Sequence, residues 1–195
     1  MSIDYIKQSN NSLETTRKKT LQIMHKGMIS YKLSNLGWDV SEHLGDGYDL
    51  LCTKKTPNSY IIQIELKGID ISSYSEKATG FSQSLSENEI STASHLIVSI
   101  FEGIHPSGHY IMTLKQMFAK IKGKGTNKYA RFKSFYEYRE KASELALEKA
   151  NRKKGEKKKL DRMFIDIGCS FKKYKSSRWE LEEFSDKWAN LELTN

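Results

Sequence analysis

Tyr60-Ile61-Ile62-Gln63-Ile64-Glu65-Leu66-Lys67-Gly68 is the stretch on which the fold turns. Its aliphatic, β-branched character predicts a strand, and strand side chains alternate between two faces. Ile62, Ile64 and Leu66 then form one wholly apolar face, while Ile61, Gln63, Glu65 and Lys67 share the other. Burying a carboxylate and an ammonium against a sheet costs several kcal/mol unless the two pair or bind a metal. Two explanations compete: a half-exposed edge strand with a cross-strand salt bridge, or a site that uses both charges.

Working upstream, Lys54 to Ser59, holding Pro57 and Asn58, predicts a hairpin loop, and Tyr48 to Thr53 a second strand with Asp49 at its start. Strands joined so closely lie side by side, which brings Asp49 within reach of Glu65 and Lys67. Gly45-Asp46-Gly47 reads as a turn and Trp38 to Glu42 as a short strand. A helix is predicted from about Leu13 to Leu36, with Leu21, Met24, Met28, Tyr31, Leu33 and Leu36 as its apolar stripe and Gly37 as its left-handed cap. Arg17, Lys18 and Lys19 stand near its start, available for phosphate or simply solvated.

Downstream, Ile69 to Gly80 is Ser-rich and reads as a surface loop. Ser86 and Glu89 fit a capping box opening a helix through Ile90 and Ala93 to about His95. Glu89 and His95 read there as structural. Leu96 to Phe101 predicts a buried strand, His109 to Thr113 its partner, and Thr113 to Ile121 a short helix. Tyr129 to about Lys154 favours helix, and Ser177 with Glu180 marks a last helix through Trp188. The order helix, three strands, helix, two strands makes an α/β layer architecture. Residues 1–121 form the core, and 122–195 a basic, mainly helical extension packed on it as one compact domain.

Composition narrows the partners. The chain has 195 residues, 37% hydrophobic and 29% charged, with a net charge of +8. That charge is uneven. From Lys115 to Arg178 there are 21 Lys+Arg against 7 Asp+Glu, a balance of +14, and the remainder balances at −6. A basic half beside an acidic half is the footprint of a protein that meets a polyanion. Cys52 and Cys169 provide no disulfide framework, so a reducing cytoplasm is expected. The first residues lack a basic-then-apolar signal pattern, and no apolar run approaches the ~20 residues of a membrane span, so no membrane partner is expected. The basic loop Lys122 to Lys128 lacks the spacing of a phosphate-cradling nucleotide loop.

Asp49, fifteen intervening residues, then Glu65-Leu66-Lys67 make an Asp…Glu-x-Lys constellation on consecutive strands. With Gly37-Trp38, Gly47-Tyr48-Asp49-Leu50-Leu51 and Gln63 to Gly68, and with a helix before them, residues 20 to 113 resemble the PD-(D/E)XK nuclease superfamily. The resemblance implies a restriction-endonuclease-like core, a mixed central sheet flanked by helices, that hydrolyses DNA phosphodiester bonds with Mg²⁺. Asp49 and Glu65 would hold the ion, hard oxygen donors for a hard cation, with the Ile64 carbonyl as a further oxygen. Lys67 would orient or help deprotonate the attacking water, its pKa pushed down beside a metal. Gln63, Glu42 and His25 are accessory candidates; for the first-helix Glu that some family members carry at the metal site, this helix offers only Glu14, at its start. Lys122, Lys124, Lys128, Arg152, Lys153 and Lys154 are the candidates for holding double-stranded DNA.

The size and layout are similar to the small cleavage subunit of heterodimeric type IIS (nicking-type) restriction endonucleases, in which a larger partner reads the sequence. No zinc-finger spacing or helix-turn-helix supplies a reader here. A homodimeric restriction or repair nuclease, a junction resolvase, and a non-catalytic nucleic-acid-binding module on a nuclease fold are the alternatives.

Overall fold

The computed structural model describes residues 3–55, 59–73, 85–122, 132–151 and 181–193, with backbone alone at 3–14, 73, 121 and 122. Helix α1 (Ile3–Asn35) begins ten residues before the sequence expectation. Its buried line is His25, Ile29 and Leu33. The expected stripe is therefore rotated: Tyr31 and Leu36 are exposed, and only a single row spaced four apart meets the sheet. Gly37 closes the helix at φ +83°, and the Trp38 amide reaches back to the Leu33 carbonyl (3.1 Å), a left-handed cap as expected.

Five strands follow: β1 (Asp39–Glu42), β2 (Leu50–Lys54), β3 (Tyr60–Asp70), β4 (His95–Glu102) and β5 (His105–Thr113), in sheet order β1-β2-β3-β4-β5. β3 pairs antiparallel with β2 and parallel with β4; β1–β2 and β4–β5 are antiparallel, so the sheet is mixed. The parallel step requires a crossover, and helix α2 (Glu87–Thr92) lies within it. Its capping box is present: Ser86 Oγ accepts the Glu89 amide, and Glu89 Oε2 accepts the Ser86 amide at 2.6 Å. Helices α3 (Leu114–Lys122) and α4 (Phe135–Ala150) complete the helical layer.

Each face of the sheet carries its own core. Ile62, Ile64 and Leu66 pack with Ile29, Leu33, Trp38, Leu50, Ile97 and Ile111 on the α1 side. Leu96, Val98, Ile100 and Met112 pack with Ile90, Met117, Phe118, Phe135 and Tyr138 on the other, joined by Leu181 and Phe184. Residues beyond 121 thus belong to the same apolar cores as the sheet. Ile97→Ala, deleting a fully buried side chain on the inner strand β4, is expected to cost about 3 kcal/mol and about 10 °C in melting temperature. A loss under about 1 kcal/mol would contradict this packing.

The C-terminal expectation is corrected. In place of a helix through Trp188, residues 181–193 hold two short 3-10 turns, Glu182–Phe184 and Trp188–Glu192, with Asp186 at φ +48° between them. The Asp186 amide donates to the His109 carbonyl, and Ser185 bridges Tyr110, so this segment is drawn onto β5 rather than coiled as a helix. The lysines and arginine expected to hold DNA (Lys124, Lys128, Arg152, Lys153, Lys154) lie outside the described residues, as does the side chain of Lys122.

Candidate active site

The site arises from a mismatch in strand length. β2 pairs with β3 only as far as Leu50↔Ile64, whereas β3 continues beside β4 to Asp70↔Phe101. From Glu65 onward, β3 has an edge not covered by β2. A cleft of about 840 Å³ opens there, lined by Asp49, Glu65, Lys67 and Gly68, by Arg17, Lys18, Gln22 and His25 of α1, and by Glu89 of α2.

Asp49 sits at the corner of this notch, one residue before β2. Its amide donates to the Ile64 carbonyl (2.9 Å) and its carbonyl accepts the His43 amide (2.9 Å). Its Oδ2 accepts the Leu66 amide (2.9 Å), continuing the ladder one rung past the strand, and its Oδ1 pairs with Lys26 Nζ of α1 at 2.7 Å. The approach of this loop to α2 depends on Gly47. At φ +121° a Cβ would be strained, and it would stand 2.5 Å from Thr92 Oγ1.

Glu65 and Lys67 project from the same face of β3, as their spacing predicts. Lys67 Nζ lies 2.8 Å from Glu65 Oε1 and 3.0 Å from Glu89 Oε1, so one amine serves two carboxylates. Burial pushes the Glu65 carboxyl up to about 8; Lys67 opposes the shift, while Asp49 and Glu89 add to it. For Lys67, burial works against the charged amine, but Glu65 and Glu89 outweigh it and hold the pKa above its ordinary value. In the metal-free protein Lys67 therefore shifts up, opposite to the direction expected of an amine beside a metal.

The remaining candidates separate clearly. The Ile64 carbonyl accepts the Asp49 amide and so has one lone pair in the ladder. Backbone groups of alternate residues face the same edge, so the Leu66 carbonyl faces the notch together with the Leu66 amide that Asp49 binds. Gln63 is half-buried, its amide and carbonyl engaged with Ser94, and Glu42 is exposed on β1; neither lines the cleft. His25 does line it, but its Nε2 is bound to Ser99 Oγ at 2.6 Å, and Ser99 also contacts His109 Nδ1 at 2.8 Å.

Two residues outside the sequence-derived set belong to the site. Glu89 fills the structural role expected of it, but the cap uses one carboxylate oxygen and the other reaches Lys67. Lys26 directly follows His25, and that one-residue step around the helix turns it toward Asp49. Among the described residues, no three of His, Cys, Asp and Glu are grouped as a metal cage.

Titration gives a testable signature. Burial pushes His25 and His95 down to about 4, with His109 lowering His25 further. Burial lowers His109 as well, so as pH falls from 6.5 toward 4 the unfolded chain takes up protons that the fold resists and stability falls with acid, by at most about 3 kcal/mol for each of His25 and His95. Glu65 acts with the opposite sign: its raised pKa contributes stability at low pH that is lost as pH rises through about 8. Urea unfolding in EDTA is expected to show maximal stability near pH 6.5; a profile rising monotonically from pH 5 to 9 would contradict these assignments.

Among the described residues no helix is long and apolar enough to cross a membrane. No protein-family model, no curated protein and no solved structure matches the chain.

Proposed function

We propose that the chain is a Mg²⁺-dependent endodeoxyribonuclease on a restriction-endonuclease-like core, the cleavage subunit of a restriction enzyme whose larger partner reads the DNA sequence. The observation that carries this reading is the convergence of Asp49, Glu65 and Lys67 on one cleft at an uncovered sheet edge. The donor chemistry fits Mg²⁺, which keeps several waters and needs only one or two protein carboxylates together with substrate phosphate. Glu65 fits as well: burial pushes its carboxyl up to about 8 despite Lys67, with Asp49 and Glu89 adding to the shift, so a divalent cation would relieve a carboxylate that the fold alone leaves costly to ionise. Asp49 and Glu65 would hold the ion, with the Leu66 carbonyl as the backbone oxygen facing the same edge.

When bound, Mg²⁺ would acidify a water and offset charge building on the phosphoryl oxygens. The protein's own groups do the positioning. Lys67, held protonated between Glu65 and Glu89, donates hydrogen bonds that orient the attacking water and stabilise developing negative charge. Asp49 is fixed by the Leu66 amide, so its remaining oxygen keeps one direction. The +14 balance from Lys115 to Arg178 supplies attraction for the DNA backbone, and the absence of a reader motif from the sequence motivates the partner.

Supercoiled plasmid incubated with the purified chain, and with the complex it forms in cells carrying its natural neighbours, is expected to be nicked or linearised in Mg²⁺ and left intact in EDTA. Plasmid that stays supercoiled in Mg²⁺ and in Mn²⁺ with both preparations would overturn the proposal.

A further inference from the structure

The cleft contains its own counter-ions. Asp49, Glu65 and Glu89 have side chains only 12%, 7% and 20% exposed, and they face the amines of Lys26 and Lys67. Lys67 is divided between Glu65 and Glu89. Lys26 reaches in from α1 and takes Asp49 Oδ1, the oxygen that the Leu66 amide does not occupy. We infer that Lys26 is a displaceable counter-ion that holds Asp49 while the site is metal-free and competes with a divalent cation for that oxygen.

This inference rests on the metal-dependent reading above and adds a regulatory residue to it. With all three carboxylates ionised, as metal binding requires, they and the two amines carry one net negative charge; a divalent ion reverses that to one net positive charge, which a phosphodiester's single charge balances. Without Lys26, Asp49 would lose its amine partner in the metal-free cluster, and burying an unpaired carboxylate is costly. A lysine suits the task better than an arginine. Its charge is a point on a flexible four-carbon stem, free to swing away, whereas a guanidinium would clamp the carboxylate through two bonds. Once released, the amine would stand beside a cleft walled by Lys18 and by Arg17, itself paired with Asp70, where a DNA phosphate would be received.

Calorimetric titration of the full chain with Mg²⁺ alone, without DNA, tests the inference. Lys26→Met keeps the stem and removes the charge. It is expected to bind Mg²⁺ about tenfold more tightly than wild type, and to melt lower in EDTA with the difference closing in saturating Mg²⁺. Equal or weaker Mg²⁺ affinity in Lys26→Met overturns the inference. Should that variant fail to fold, Lys26→Arg is expected to bind Mg²⁺ about tenfold more weakly, and equal or tighter binding overturns it. Asp49→Asn separates the two levels. If wild type and Lys26→Met bind no better than Asp49→Asn, the metal site itself is wrong; if Asp49→Asn loses binding while Lys26→Met binds no more tightly than wild type, only the role of Lys26 fails.

Discussion

Glu65→Gln is expected to reduce Mg²⁺-dependent DNA cutting by at least about a thousandfold while leaving the metal-free protein as stable as wild type or slightly more so. The two halves of that expectation come from one fact. In the fold, burial and the neighbouring Asp49 and Glu89 push the Glu65 carboxyl up to about 8, so the metal-free protein already favours the neutral form. A neutral amide of the same shape therefore costs the apo fold little, but it removes an anionic oxygen that a divalent cation needs. The competing explanation, a structural Glu65–Lys67 salt bridge, predicts the reverse: a measurable loss of stability and no loss of catalysis. Plasmid cleavage and thermal melting in EDTA on the same preparation separate the two.

Lys67→Met is expected to damage both properties. Lys67 Nζ is shared by Glu65 and Glu89, and its removal leaves two carboxylates facing each other in a largely buried site. Breaking one side of a buried ionic group costs about 3–5 kcal/mol, because the charge left behind is uncompensated. The deficit should grow as pH rises through about 8, where Glu65 gives up its proton, and should shrink when Mg²⁺ is added. Cleavage is expected to fall at least about a hundredfold, since no other amine is shared between Glu65 and Glu89 among the described residues to orient a water. A variant that cuts at the wild-type rate would remove Lys67 from the chemistry.

How much of this is legible in the sequence alone depends on whether the signal is local. The strand at Tyr60, the placement of Glu65 and Lys67 on one face, the Gly37 cap and the Ser86–Glu89 capping box all follow from period-two alternation or from side-chain bonds spanning three or four residues. These were readable. The proximity of Asp49 to Glu65 was readable too, because a hairpin leaves two adjacent strands little freedom. Three features were not. Lys26 and Tyr31 both lie on an amphipathic helix, and only the docking of α1 decides which side meets the sheet; the row that does is His25, Ile29 and Leu33. Glu89 joins the site because β4 runs parallel to β3, which sets α2 against the notch, a long-range pairing with no local signature. Residues 181–193 carry polar, helix-compatible residues, yet Phe184 and Leu191 are drawn into opposite cores and the chain breaks into short turns to reach both.

The central claim is that Asp49 and Glu65 hold one divalent cation at the uncovered edge of β3. Diffraction from crystals soaked in Mn²⁺, recorded for anomalous scattering, tests it without requiring DNA or a partner chain. An anomalous peak ligated by both carboxylates, absent from Glu65→Gln crystals, is the predicted result. No peak at that edge, or a peak held by other residues with Asp49 and Glu65 still bound to their lysines, would contradict it.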